Sequence, residues 1–225
     1  MTTSCWGVVV AAGRGERFGG DRPKALVDLA GRPLVVHAVA ALRSGGCAGI
    51  VVAVPADLSS EMARLLPEPD VVVVAGGSSR QRSVVAALQA VPVDVDWVLI
   101  HDAARPLVPA DVVKAVRTGL SAGTPAVIPV VPVVDTVKSV DAQGRVTATV
   151  DRSGLRRAQT PQGFARNLLG RALEHSARRG DEVTDDAAAV AALGIPILTV
   201  PGDERGLKIT TRHDLIVAEA LLAAD

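Results

Sequence analysis

Short aliphatic runs recur along the chain, separated by segments in which apolar residues return every third or fourth position. Trp6–Val10, Ile50–Val54, Val71–Val74, Trp97–Ile100 and Ala126–Val130 are β-branched and apolar on both faces. That pattern predicts buried parallel strands covered by helices. Ile197–Val200 predicts a late strand. Between the runs, Leu34, Val35, Ala38, Val39 and Leu42 form one helical stripe, with Pro33 in the first turn and Gly45-Gly46 at the end. Ser83–Ala90 and Asp111–Leu120 follow the same period. Asp185–Leu193 predicts an Ala-rich helix with Thr184 as N-cap, and a last helix starts near Thr211, whose spacing to Asp214 fits a variant capping box. Strands alternating with helices predict an α/β fold with a mostly parallel sheet.

One stretch departs from this rhythm. Within Val133–Arg157, Thr136–Val140 and Val146–Val150 flank the polar turn Asp141-Ala142-Gln143-Gly144, which predicts a β-hairpin. Such a hairpin has little core of its own and needs the body or another subunit to pack on. No repeat or linker divides the 225 residues, so the expectation is a single domain with this insertion at about 133–157.

Composition narrows the function classes. The formal net charge is zero, which gives no global attraction to nucleic acid or a membrane. The N-terminal MTTSCWGVVVAAG has no basic region, and its apolar run is far shorter than the ~20 residues of a span, so a cytoplasmic location is expected. Cys5 and Cys47 lack metal-ligand spacing and read as buried thiols.

Positive charge is local instead. The first strand runs into AAGRGERFGGDRPKAL, where small residues allow backbone N–H groups to approach an anion, and Arg14, Arg17, Arg22 and Lys24 add charge. In open α/β sheets ligands bind beyond the carboxyl ends of strands, and a triphosphate suits this loop. A dinucleotide fingerprint fits poorly, because Pro23 follows the glycines and the second strand ends Val54-Pro55-Ala56 without an acid. A P-loop is excluded by the absence of Gly-Lys-Ser/Thr. After the Trp97–Ile100 strand comes His101-Asp102-Ala103-Ala104-Arg105-Pro106. Asp102 could hold Mg²⁺ or cap a turn, and Arg105 could bind an anion or lie on the surface; His101 receives no catalytic role. Gly76–Ser83 could read a base edge, or Ser83 could simply cap a helix.

The segments AAGRGERFGGDRPKAL, GGSSRQRSV, HDAARP, DTVK, TVDRSGLRRAQTPQGF, TDDA and GLKIT, in that order, resemble the 2-C-methyl-D-erythritol 4-phosphate cytidylyltransferases over nearly the whole chain. The resemblance implies a Rossmann-like nucleotidyltransferase fold with a protruding β-arm, a homodimer with interlocking arms, and transfer of CMP from CTP to methylerythritol phosphate with Mg²⁺ or another divalent cation. It implies transition-state stabilisation by Arg17 and Lys24. CTP would also contact Ala11, Ala12, Gly13, Gly15, Gly77, Ser78 and Ser83, although Ser78 stands where many relatives carry an acid. Asp102 would bind the metal. Arg152 and Lys208 would position the acceptor, with Arg105, Thr136 and Thr184 lining its pocket. A ribitol 5-phosphate cytidylyltransferase and a non-catalytic nucleotide sensor share much of this pattern; an NAD(P)-dependent oxidoreductase does not.

Overall fold

Consecutive valines in the first strand point to opposite faces of the sheet, as the two-residue period of a strand requires, and this sets the layering. The computed structural model describes residues 4–13, 18, 23–181 and 183–224. Arg14, Gly15, Arg17 and Arg22 of the glycine-rich loop lie outside the described residues.

The strands are β1 (Cys5–Val10), β2 (Asp28–Leu29), β3 (Arg32–Pro33), β4 (Gly49–Val54), β5 (Val71–Ala75), β6 (Trp97–Asp102), β7 (Ala126–Pro132), β8 (Val137–Val140), β9 (Val146–Val150), β10 (Arg156–Ala158), β11 (Gln162–Ala165) and β12 (Leu198–Pro201). The helices are α1 (Leu34–Ser44), α2 (Ser59–Leu65), α3 (Arg80–Ala90), α4 (Ala110–Ser121), α5 (Arg166–Arg179), α6 (Asp186–Ala191) and α7 (Arg212–Ala223). The main sheet has the order β10-β7-β11-β6-β1-β4-β5, with β12 also on β7. Pairings within β6-β1-β4-β5 and of β12 with β7 are parallel, whereas β10 and β11 run antiparallel to their neighbours. The predicted α/β architecture with a mostly parallel sheet is what forms.

Val9, Ile50, Val52 and Leu99 face one core, which α1 closes with Val39 and Leu42 and α4 with Val113 and Val116. Val8, Val51, Val98 and Ile100 face the other, against Val84 and Ala87 of α3 and Leu169 and Leu173 of α5. Burial of such a side chain contributes about 1.5–3 kcal/mol, so the aliphatic runs that announce the strands also stabilise the sheet from both sides. Close approach explains the glycine that opens β4: a Cβ on Gly49 would stand 2.5 Å from the Trp6 ring.

Several boundaries differ from the sequence expectation. Pro33 precedes α1 as its N-cap and does not open its first turn, whereas Gly45-Gly46 end the helix as expected, Gly45 as C-cap and Gly46 with φ 91°. Asp185, not Thr184, caps α6, because its carboxylate accepts from Ala188 N at 2.8 Å. Ser79, not Ser83, caps α3, accepting from Arg82 N at 3.2 Å. The capping box between Thr211 and Asp214 forms as expected. The pattern gave no expectation for α2, α5, β10, β11 or the β2–β3 pair.

The hairpin forms its own two-stranded sheet. Asp141 organises its turn by accepting from the backbone N–H groups of Gln143 and Arg145, and Gly144 takes a left-handed φ of 79°. The arm leaves the main sheet after Pro132 and rejoins it at Arg156, which is paired with Pro132. Val134, Val140 and Val146 on the arm are 68 %, 58 % and 63 % exposed.

Candidate active site

Parallel strands deliver their following loops to one edge, and three of these loops meet beyond β1, β5 and β6. Ala11 N donates to Ala53 O, Gly76 N to Val54 O and Ala103 N to Val10 O, so each loop is tied to a neighbouring strand as it leaves the sheet. Two loops touch closely: a Cβ on Gly76 would lie 2.6 Å from that of Ala12. Ser83, one turn into α3, braces the second loop. Its Oγ accepts from Gly77 N at 3.1 Å and donates to Ser79 O at 2.9 Å.

Between the loops lies a cleft of about 280 Å³. Ala11, Ala12, Gly13 and Lys24 form one wall. Gly77, Ser78 and Ser83 form another, and Asp102 and Lys208 lie at its base. All of these are residues that the motifs had singled out, brought together from distant parts of the chain. Gly15 and Arg17 lie outside the described residues. Lys24 opens a single 3-10 turn (Lys24–Leu26) whose next two residues, Ala25 and Leu26, are buried, so its backbone position is anchored in the core.

The charged floor of the cleft contains a group the sequence reading missed. Asp102, the last residue of β6, receives Lys208 Nζ on Oδ2 at 2.7 Å and Arg80 Nε on Oδ1 at 3.3 Å. Arg80 in turn stands 2.8 Å from Asp186 Oδ2, an ion-pair contact rather than a well-aligned hydrogen bond. Burial opposes the charged form of Asp102, but Arg80, Lys208 and Arg105 outweigh it and hold the carboxyl well below the usual range. Asp186 is shifted the other way: it is almost fully buried, and burial raises it against the pull of Arg80. Arg80 in GGSSRQRSV, Asp102 in HDAARP and Asp186 in TDDA were all visible in the sequence; their pairing was not.

His101 is fully buried and structural. Thr160 Oγ1 accepts from Asp102 N at 3.1 Å and therefore directs its proton to His101 Nδ1 at 2.9 Å. Nε2 then donates to Arg105 O at 3.1 Å, and burial pushes the ring down to about 4, so it stays neutral.

The residues expected to bind the acceptor divide into two groups. Lys208 lies between the cleft and a second hollow of about 200 Å³ that Arg105 and Arg157 also line. Arg105 donates from Nη1 to Gly206 O at 2.7 Å and from Nη2 to Ala158 O at 3.3 Å, while its Nε is buried without a hydrogen-bond partner. Thr136 and Arg152 sit exposed on the arm, where Arg152 donates to Val134 O, and Thr184 is exposed just ahead of α6. None of these three lines the cleft of its own chain.

A single carboxylate faces the cleft, and no group of three or more His, Cys, Asp or Glu that could hold a metal occurs, among the described residues. This fits a hard cation that takes one carboxylate and completes its shell with phosphate oxygens and water, as Mg²⁺ does with nucleotides. It does not fit a closed structural metal site.

Residues 5–224 match the family described as IspD, 2-C-methyl-D-erythritol 4-phosphate cytidylyltransferase. The chain is similar to proteins of that name from Frankia casuarinae, with 54% identity covering 96% of this chain and 80% of the relative, and from Streptomyces avermitilis, with 48% identity covering 96% and 90%. A crystal structure of the enzyme of that name from Thermus thermophilus superposes with a TM-score of 0.79 at 35% identity, covering 96% of this chain and 98% of that one.

Proposed function

We propose how the cleft works in a chain that belongs to the 2-C-methyl-D-erythritol 4-phosphate cytidylyltransferase family and transfers CMP from CTP to that alcohol phosphate, releasing pyrophosphate. One observation carries the reading: the 11–13 loop, Lys24, the 77–83 loop, Asp102 and Lys208 all line one cavity. The triphosphate lies along Ala11, Ala12 and Gly13, with Gly15 and Arg17 assigned to it from the same sequence motif, and the cytidine faces Gly77, Ser78 and Ser83.

An oxygen of the acceptor's phosphate attacks the α-phosphorus in line. The new P–O bond forms as the bond to the pyrophosphate breaks, and the pyrophosphate leaves with the electron pair. The nucleophile is already an anion, so no general base is needed. The difficulty is bringing two polyanions together, which calls for positioning and preorganised positive charge. Arg17 and Lys24 stabilise the charge that develops on the nucleotide phosphates. Lys208 and Arg152 hold the acceptor's phosphate, with Arg105, Thr136 and Thr184 around it. Asp102 would hold Mg²⁺, which would neutralise phosphate charge when bound; Lys208 and Arg80 each donate to one of its oxygens, and the carboxylate has further lone pairs to offer a cation.

The arm residues imply a second subunit. Thr136 and Arg152 lie away from the cleft of their own chain, while exposed Val134, Val140 and Val146 give the arm an apolar surface to bury. We therefore assign a homodimer in which each arm completes the partner's acceptor pocket. The chain is in this reading one nucleotidyltransferase domain with an inserted arm. Both substrates are highly charged and do not cross membranes unaided, which supports a cytoplasmic location.

Pyrophosphate release should require CTP with methylerythritol 4-phosphate and should be weak with ATP, GTP or UTP. Release with ribitol 5-phosphate in preference would reassign the acceptor. Arg152→Ala should raise KM for methylerythritol phosphate about 10- to 100-fold, the scale of a charge-assisted hydrogen bond, and leave KM for CTP unchanged. A change in CTP use alone would remove the arm from the acceptor pocket.

A further inference from the structure

The segment that brings Lys208 to the cleft has little regular structure, yet it is fastened to the body at four points. At its start Gly202 N donates to Val130 O at 2.8 Å, continuing the β12–β7 pairing. Next, the side chain of Gln159 takes both backbone groups of Asp203: Nε2 donates to Asp203 O at 2.7 Å, and Oε1 accepts from Asp203 N at 3.1 Å. Arg105 then holds Gly206 O, and Ile209 N donates to Ala104 O at 2.8 Å with its own side chain fully buried.

Gln159 is itself fixed. It is 4 % exposed, and its backbone N–H donates to Pro129 O in the main sheet. Two glycines make room for its amide. A Cβ on Gly202 would lie 2.3 Å from Oε1, and one on Gly206 would lie 3.2 Å from Nε2. The amide thus fills the inside of the bend from 202 to 206, and the residue two positions beyond the bend is the one whose Nζ sits 2.7 Å from Asp102.

We propose that Gln159 is a positioning residue for Lys208, setting where the ammonium stands relative to Asp102 and the acceptor's phosphate. A side chain that bonds one residue's N–H and C=O together fixes both the height and the twist of the bend, as a neighbouring strand would. An error of about 1 Å in a charged group can cost as much as ~10²-fold in rate, so a modest shift of the bend has a kinetic consequence. The inference rests on the reading of Lys208 as a ligand of the acceptor's phosphate.

The test is steady-state kinetics on Gln159→Leu, Lys208→Met and the double variant, with thermal melting of each. Gln159→Leu keeps the size and removes both bonds. It should lower kcat/KM for methylerythritol phosphate about tenfold, with KM for CTP within twofold of wild type. In the Lys208→Met background the same substitution should cause no further loss. Gly202→Ala, which crowds Oε1, should give the same pattern and serves if Gln159→Leu does not fold. A full, multiplicative loss in the Lys208→Met background overturns the proposal, as does wild-type turnover in Gln159→Leu and Gly202→Ala. Wild-type turnover in Lys208→Met would instead overturn the role of Lys208 itself.

Discussion

Asp102→Asn should lower turnover by about 10²-fold or more while leaving the protein folded. The carboxylate is the one acidic group facing the cleft among the described residues, and it accepts both Lys208 and Arg80. Asparagine keeps the size but loses the charge that would hold a divalent cation beside the phosphates. Breaking a buried ion pair can cost roughly 3–5 kcal/mol when the abandoned partner stays buried. Here the cost should be smaller, about 1–2 kcal/mol, because Lys208 is 41 % exposed and Arg80 retains Asp186. The pH dependence has a definite sign. A carboxyl depressed below its unfolded value of 3.8 gives its full stability above that value and loses it as pH falls through the lower folded value. The wild type should therefore lose more stability than Asp102→Asn on acidification below about pH 4. Turnover within threefold of wild type would take Asp102 out of the chemistry.

Lys24→Ala should show the second large effect, again about 10²-fold in kcat, because it removes a preorganised charge from the wall along which the proposed triphosphate would lie. The 3-10 turn carrying Lys24 is held by Leu26 N to Pro23 O at 2.9 Å and Val27 N to Lys24 O at 3.0 Å. Those bonds are main-chain bonds and survive the substitution, so the turn should keep its backbone course. Kinetics with saturating CTP separate loss of transition-state stabilisation from loss of binding. A variant with near-normal kcat would leave Lys24 as a bystander.

The central strands were legible because they are buried on both faces, which writes a continuous aliphatic word into the sequence. β11, Gln162–Ala165, carries no such word: it is four residues long, antiparallel and includes a glycine. The α5 stripe of Leu168, Leu169, Ala172 and Leu173 does carry a helical signal, but no side chain caps its start. The cap of α6 was misplaced by one residue because Thr184 and Asp185 are both good N-caps, and the choice is made by tertiary contacts: Asp185 also accepts from Gln162 Nε2 at 2.8 Å.

The loops of the candidate site were legible for a topological reason, since the residue after a parallel strand necessarily reaches the sheet edge where ligands bind. Ion pairing across the chain was not. Lys208 and Asp102 are 106 positions apart, and no local pattern says which acid a basic residue will meet. The same holds for Arg80 and Asp186, and for the amide of Gln159 closing on Asp203, 44 positions away. Such pairings come from the packing of α3, α6 and the 202–209 segment around β6, which the pattern of one strand or helix does not encode.

Two cations and two carboxylates form a chain from the cleft into the core, Lys208–Asp102–Arg80–Asp186, with Asp186 buried behind the cleft lining. Each cation is thus already matched by an acid of the protein and not by ions drawn from solution. A polyphosphate reaching these cations would meet groups already paired within the protein, so few counterions would be returned to the bulk. The affinity for nucleotide should accordingly weaken with ionic strength less steeply than the number of basic groups around the cleft would suggest. The enzyme would then keep its grip on a strongly charged substrate across the swings in salt that a cell experiences.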